Sequence, residues 1–401
     1  MSQAIINEAS QKRNYPFITF ILFWCGLTLL TSMYITIPLT SVFSEEFHIT
    51  LDQTSWIGSS FSLCYALGCL LYGPISDKYG RKVLMAVSIS VLTVITFMIG
   101  FVHSYHALVF LRAIQGLVAA AFAPISLVYA GEMFPPNKRV TVVGFISTGL
   151  LMAGIIGQLF SGIINELLGW NAIFFILGVV YLLSAVLVII ALPKEEHQKS
   201  NDHIWSKFMQ IKQLFSQPQL LLCFAVTFML LFTLVGMYTL LGSYLSSPKF
   251  SLSSEQILYV RAVGIIGMII AFFVGSISNR FGALTVLRAG LGLSVVGLFL
   301  LGFCTSLPAV VIMSVLFVTG IAVVSPVIIS LISQKAGNAR GTAISFNAFI
   351  LFLGASAGPI VSIQLLKTGM LTMSFIILSV LLLIGLGISF FLRSTNALSG
   401  K

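Results

Sequence analysis

Charge is scarce in this 401-residue sequence: Asp, Glu, Lys and Arg together make up 8% of it. A water-soluble domain carries roughly 25% to keep its surface wet, so an ordinary soluble protein is excluded. None of the 11 acidic residues, and no histidine, falls in the middle of an apolar run. A pump for lipophilic cations would want a buried carboxylate to attract its substrate and carry the exchanged proton, and the sequence offers none. The five cysteines, Cys25, Cys64, Cys69, Cys223 and Cys304, are all read as lying inside apolar runs, with no C-x-x-C and no histidine nearby. Neither a disulfide framework nor a metal site is signalled, and no cofactor is expected. No G-x-x-x-x-G-K-[ST] loop exists for nucleotide-driven work, and no clustered His and Asp, or Ser with its base, from which to build a membrane enzyme. The filter-like repeats expected of a channel are missing too.

Apolar length is abundant instead. The AVILMFWYC set supplies 58% of the residues, and the mean hydropathy is +1.06. Runs of about 20 apolar residues, enough to cross a hydrocarbon core of roughly 30 Å, recur from Pro16 to Leu392. They are too long and too uniform for the alternating strands of an outer-membrane barrel, so an all-α integral membrane fold is expected. Spans are placed near 16–42, 54–74, 83–102, 107–131, 140–167, 171–192, 220–246, 256–278, 284–304, 308–333, 342–366 and 370–392. The polar start, Met1 to Asn14, is followed by a run with no A-x-A-like cleavage site, and that run is read as a retained first helix.

The formal charge of +10 is spread in short clusters between the runs, which speaks for topology and against nucleic acid. With the N-terminus placed in the cytoplasm, 17 of the 21 basic residues fall in loops on that side, and only Lys249 and Lys367 in loops opposite. The positive-inside rule therefore puts both termini in the cytoplasm. The long connection from Lys194 to Gln219 carries Ile204, Phe208, Ile211 and Phe215 on one helical face. It is expected to lie on the inner surface of the bilayer, with Lys207 and Lys212 at anionic headgroups. The expected organisation is a six-helix bundle over 1–193, a linker with an amphipathic helix over 194–219, and a second six-helix bundle over 220–401.

The two halves repeat. Gly73-Pro-Ile-Ser-Asp77-Lys-Tyr-Gly80-Arg81-Lys82 matches Gly275-Ser-Ile-Ser-Asn279-Arg-Phe-Gly282-Ala283 at an offset of 202. Asn137, Arg139, Thr141 and Phe145 match Asn338, Arg340, Thr342 and Phe346 at an offset of 201. Parallel repeats of this kind put a substrate site near the midplane, between the halves. The segment from Gly73 to Lys82 resembles the signature loop of the major facilitator superfamily, G-x-x-x-D-[RK]-x-G-[RK]-[RK], at every constrained position. Arg112-Ala-Ile-Gln115-Gly116 is similar to that family's R-x-x-[QG]-G element in helix 4. The resemblance implies twelve transmembrane helices in two pseudo-symmetric halves, a conformational switch at Gly73, Asp77, Gly80, Arg81 and Lys82, and coupling through Arg112, Gln115, Gly116 and Glu132. Helix 5 partly matches an exporter-associated glycine motif at Gly154 and Gly157, with Gln158 where a proline belongs, while Gly358-Pro359 keeps the Gly-Pro pair in the second half. These positions are expected to let helices of opposite halves slide.

Two charges are embedded, Arg112 and Arg261, each read as having no partner in its own span. An ionisable group inside a bilayer is a functional candidate by default, and guanidinium groups grip carboxylates. Both are assigned to the outer part of a net-positive cavity, with Tyr34, Thr36, Gln158, Tyr238, Phe346 and Asn347 as further lining residues. The expected activity is export of a small anionic or zwitterionic metabolite, for example an opine-like metallophore, by a secondary active transporter of a bacterial inner or plasma membrane. The partners expected are that solute, protons or another coupling ion, and lipid, with the monomer as working unit. A multidrug:proton antiporter is the alternative, ahead of an importer, a channel or an enzyme.

Overall fold

The computed structural model describes residues 14–194, 214–366 and 369–393, and every regular element among them is a helix. Twelve of these helices are long and apolar enough to cross a bilayer: Tyr15–Tyr34, Trp56–Ser76, Arg81–Gly100, Tyr105–Met133, Pro136–Leu168, Trp170–Ala191, Pro218–Ser246, Glu255–Phe281, Ala283–Leu301, Leu307–Lys335, Arg340–Gly358 and Leu371–Phe390. They are spans 1 to 12. An even number of crossings puts the start of span 1 and the end of span 12 on one side, called here the terminal face.

Two boundaries differ from the sequence reading. The apolar run of span 1 continues to 42, but the helix stops at Tyr34, and a separate short helix follows at Thr40–Glu46. Pro38 has no N–H with which to continue the ladder onto Tyr34. Cys304 lies beyond the end of span 9 at Leu301, in the loop before span 10, so it is not a span residue. The linker helix proposed over Ile204, Phe208 and Ile211, with Lys207 and Lys212, falls outside the described residues. Phe215, at its edge, packs its ring 5.3 Å from that of Phe346.

Local sequence sets the repeat. Spans 2 and 8 begin with equivalent capping boxes, Thr50 with Gln53 and Ser253 with Gln256, in which each side chain satisfies the other's free backbone N–H. Spans 2 and 8 end at Gly80 and Gly282, whose φ angles of 94° and 84° are open to glycine and costly for other residues. Those two glycines make the tight turns into spans 3 and 9. Within each half the same partners meet: span 1 packs on span 5 and span 7 on span 11, 2 on 4 and 8 on 10, 3 on 6 and 9 on 12.

Lipid is as apolar as leucine, so close packing rather than hydrophobic exclusion must hold such pairs together. Small residues provide it. Gly116 in span 4 lies directly on the backbone of Phe61 in span 2, Gly149 and Gly157 in span 5 on the carbonyls of Phe23 and Thr31 in span 1, and Gly354 and Gly358 in span 11 on those of Phe228 and Phe232 in span 7. Large apolar side chains such as Phe20, Val94, Leu182, Ile190, Ile266 and Phe390 stay on the outside, where lipid would cover them.

Span 4 is broken. Pro124 cannot donate to the carbonyl of Ala120, so the helix divides into Tyr105–Ala119 and Phe122–Met133. The Cys69 thiol of span 2 approaches that carbonyl at 4.0 Å. Pro326 in span 10 stands at the equivalent position, and there the helix runs unbroken. Span 8 is interrupted instead, by a 3₁₀ turn at Ile269–Phe273.

Candidate functional site

A cavity of about 390 Å³ lies between the two halves, a size suited to a small organic molecule. Its wall is largely aliphatic, from Leu30, Leu127, Leu150, Leu230, Leu234 and Ile321 among others. The polar exceptions are Tyr34 in span 1, Ser147 and Gln158 in span 5, Tyr238 and Thr239 in span 7, Arg261 in span 8, Ser325 in span 10 and Asn347 in span 11. Arg261 is the one charged residue in the lining among the described residues, and no carboxylate is present there.

Toward the terminal face the halves close on each other. Arg340 of span 11 donates to the carbonyl of Gly131 in span 4 at 3.2 Å, and Asn279 of span 8 to that of Asn137 at 3.3 Å. The rings of Phe145 and Phe272 lie 4.5 Å apart, and nearer mid-span those of Tyr65 and the cavity-lining Phe352 lie 4.5 Å apart as well. Gly73 fits against Ser345 so closely that a side chain there would have to displace it. On the opposite side the wall reaches Ile37, which lies past the end of span 1 and is exposed. Across that side Arg261 donates through Nη1 to Gln158 Oε1 at 3.2 Å, and through Nη2 to the Tyr238 carbonyl at 2.9 Å.

The structure brings together Tyr34, Gln158, Tyr238, Arg261 and Asn347 of the residues assigned to substrate, and separates the rest from them. Arg112 is fully buried inside the first half. It donates to the carbonyl of Ile57 at 3.3 Å and to Gln115 Oε1 at 2.6 Å, and its guanidinium lies 4.4 Å from the centre of the Phe61 ring. Gln115 passes the chain of bonds to Thr96 at 2.8 Å. Arg112 therefore does have a partner in its own span, and it faces span 2 rather than the cavity. The break at Ala120 explains the difference: the segment after it supplies Ala123 and Leu127 to the cavity wall, and the segment before it supplies nothing. Thr36 is buried against Gly58 of span 2, and Phe346 against Phe215 and Phe224. Neither lines the cavity.

The signature loop is compact. Arg81 pairs with Glu132 at 3.0 Å and also donates to the Ser76 hydroxyl. Lys82 follows in the first turn of span 3. The side chains of Asp77 and Pro359 lie outside the described residues. Of the helix-packing glycines, Gly154 contacts the Tyr34 ring, Gly157 sits on span 1 and Gly358 on span 7. They fasten helices of the same half, which corrects the expectation that they face the opposite one. Glycines that do meet the other half include Gly73, Gly131, Gly144 and Gly275, toward the terminal face, and Gly264, which lies against Ile155. Ser147, Thr239 and Ser325 were not anticipated in the wall. Hydroxyls in apolar spans usually bond their own backbone, as Thr239 does with Val235 at 2.9 Å, so sequence offers no signal that singles them out.

The model of the Major Facilitator Superfamily matches residues 22–359, with a second match over 269–400. The chain belongs to that superfamily. A protein of Buchnera aphidicola subsp. Schizaphis graminum described as an uncharacterized transporter is 26% identical over 355 residues, covering 88% of this chain and 86% of that one. The multi-drug resistance efflux pump PmrA of Streptococcus pneumoniae is 27% identical over 344 residues, covering 82% and 84%. The crystal structure of the human organic anion transporter MFSD10 (TETRAN) aligns with a TM-score of 0.78 over 94% of this chain and 100% of that one, at 18% identity. That last likeness is one of fold. As a Major Facilitator Superfamily transporter, this chain is a multi-pass membrane protein with its cavity where parallel six-helix repeats place a substrate.

Proposed function

We propose that this transporter exports small amphipathic molecules, each with an apolar body and one anionic group, by exposing the central cavity alternately to the two sides. The observation that carries the reading is the lining itself, mostly aliphatic with a single guanidinium and no carboxylate among the described residues. An apolar body is favoured by desolvation against Leu and Ile side chains. A lone anionic group is favoured by Arg261, which makes charge-assisted hydrogen bonds stronger than neutral ones. An opine-like chelator with several carboxylates would leave most of them facing hydrocarbon, because Arg112 does not reach the cavity. The substrate class proposed is accordingly narrower than the one read from sequence.

The export direction is supported by the bacterial relative named as an efflux pump. The cytoplasm is assigned to the terminal face from the basic loops, in a bacterial inner or plasma membrane, and the halves are assigned to 1–193 and 220–401 around the linker. With no carboxylate in the lining, a coupled proton would ride on the solute or on the loop acids Asp77 and Glu132.

Purified protein in proteoliposomes tests the reading, with three loaded probes: dansylglycine as an amphipathic monoanion, ethidium as a lipophilic cation, and citrate as a polar polyanion. Release of dansylglycine well above protein-free vesicles, lost in Arg261→Gln, is the expected result. Release of ethidium without dansylglycine would replace this reading with multidrug cation efflux.

A further inference from the structure

The bond that joins the halves at Arg261 is chemically unfinished. The guanidinium spends Nη2 on the Tyr238 carbonyl and Nη1 on Gln158 Oε1, while its Nε is buried without a hydrogen-bond partner. The hydroxyl of Tyr238 is buried without one as well, on a ring whose centre is 5.7 Å from the guanidinium carbon. Buried donors normally find acceptors, and two orphans on adjoining side chains in a cavity wall mark a place shaped for something else. The Nε can only donate, and the hydroxyl can donate as well as accept, so an incoming oxygen suits both.

Gln158 holds its position through its other end. Its Nε2 donates to the Gly154 carbonyl at 2.6 Å, one turn back on span 5. That bond fixes the amide so that Oε1 meets the guanidinium; a flipped amide would set NH₂ against Nη1. An amide oxygen is a neutral acceptor for a full positive charge. An oxyanion bonds a guanidinium with shorter and roughly twice stronger hydrogen bonds, so it outcompetes the amide for the same donor. The site holds this competition inside a mostly apolar wall, where electrostatic interactions gain strength.

We propose that Gln158 is a placeholder for the substrate. The oxyanion of the solute displaces the amide oxygen from Arg261 Nη1, takes the Tyr238 hydroxyl as a second donor, and so severs the bond between span 5 of one half and span 8 of the other. Binding and release of the cross-half bond are then one event. A cavity without anion keeps its latch, and a carboxylate, sulfonate or phosphate group opens it. This inference rests on the monoanionic-substrate reading above and adds to it which bond the anion replaces.

The reading singles out one variant. Gln158→Glu tethers an oxyanion beside Arg261 and mimics a bound substrate permanently. Gln158→Ala removes the competitor. Full-length protein in lipid nanodiscs is titrated with dansylglycine by its fluorescence, and with the uncharged dansylglycinamide as a control for cavity shape. Dansylglycine affinity is expected to fall about tenfold or more in both Gln158→Glu and Arg261→Gln, and to rise several-fold in Gln158→Ala. Dansylglycinamide affinity is expected to stay within about twofold throughout, which separates loss of the anion seat from a collapsed cavity. Dansylglycine binding by Gln158→Glu equal to that of the unaltered protein, or weakened binding by Gln158→Ala, would overturn the exchange while leaving the monoanion reading in place. Failure of the unaltered protein to bind dansylglycine at all would overturn both.

Discussion

The two halves share a backbone plan and divide the charge. Asp77, Arg81, Arg112 and Glu132 in the first half correspond, at the common offset of 202, to Asn279, Ala283, Ser314 and Gln334 in the second. Each of these four has a neutral counterpart, whereas Lys78 and Arg280, and Arg139 and Arg340, keep their charge. The reverse holds at the cavity, where Arg261 in the second half corresponds to Ser59 in the first. Capping boxes, turn glycines and helix pairs, the features that build a bundle, are duplicated. Among the described residues, the Arg81–Glu132 ion pair and the fully buried guanidinium of Arg112 are not. Duplication explains the architecture, and the departures from it mark where the halves play different parts. The first half braces itself internally and at its terminal-face loop, and the second supplies the one charged residue in the cavity lining among the described residues.

The comparison can be broken most severely by forcing the first half's chemistry on the second. Ser314 is buried and bonds only its own helix, at the Val311 carbonyl 2.8 Å away. The positions matching Gln115 and Thr96 are Phe317 and Leu298, so a guanidinium there would lack the side-chain acceptor that Gln115 gives Arg112. Ser314→Arg should cost about 3–5 kcal/mol, the range for an uncompensated buried charge, and little folded protein should survive detergent extraction and size-exclusion chromatography. Recovery equal to the unaltered protein would show that the halves do not differ in this way.

Gly116 and its counterpart Val318 give a milder test. A valine at 116 would strike the Phe61 backbone, so Gly116→Val should lower stability by about 1–3 kcal/mol in thermal unfolding. Val318→Gly should cost a comparable amount by the opposite route, because it removes a buried side chain and leaves a cavity inside a helix. The smallest effect is expected from Glu132→Gln, which copies Gln334 into the first half. Its partner Arg81 is buried, but Glu132 is 37% exposed, so solvent screens the pair and the loss should stay near 1 kcal/mol or below. A larger loss would mean that the loop contributes more to the resting bundle than its geometry suggests.

Much of this was legible in the residues. Twelve spans follow from apolar length, and the repeat from two short matched segments, because lipid demands continuous helices and duplication preserves their punctuation. Hydropathy does not see a proline turn inside an apolar run, which is why span 1 read as ending at 42 rather than at Tyr34. Nor does it see helix rotation. On an unbroken helix Arg112 and Ala123, 11 residues apart, would share a face, and the break before Pro124 removes that equivalence. Arg112 consequently read as a cavity residue. The glycines of span 5 read as a contact between halves for a similar reason: spacing shows that a helix can be approached closely, and not which helix approaches it.

The central claim is that the halves rock about the cavity, and matched pairs of exposed residues report it. Tyr79 and Phe281 sit at equivalent positions on the terminal face, and Phe101 and Phe303 on the opposite one. Spin labels on the pairs Tyr79→Cys/Phe281→Cys and Phe101→Cys/Phe303→Cys, in a background without the five native cysteines, give two distance distributions by pulsed electron spin resonance in nanodiscs. Adding dansylglycine should lengthen one distance as the other shortens. Two distributions that stay fixed, or that move in the same direction, would contradict the account.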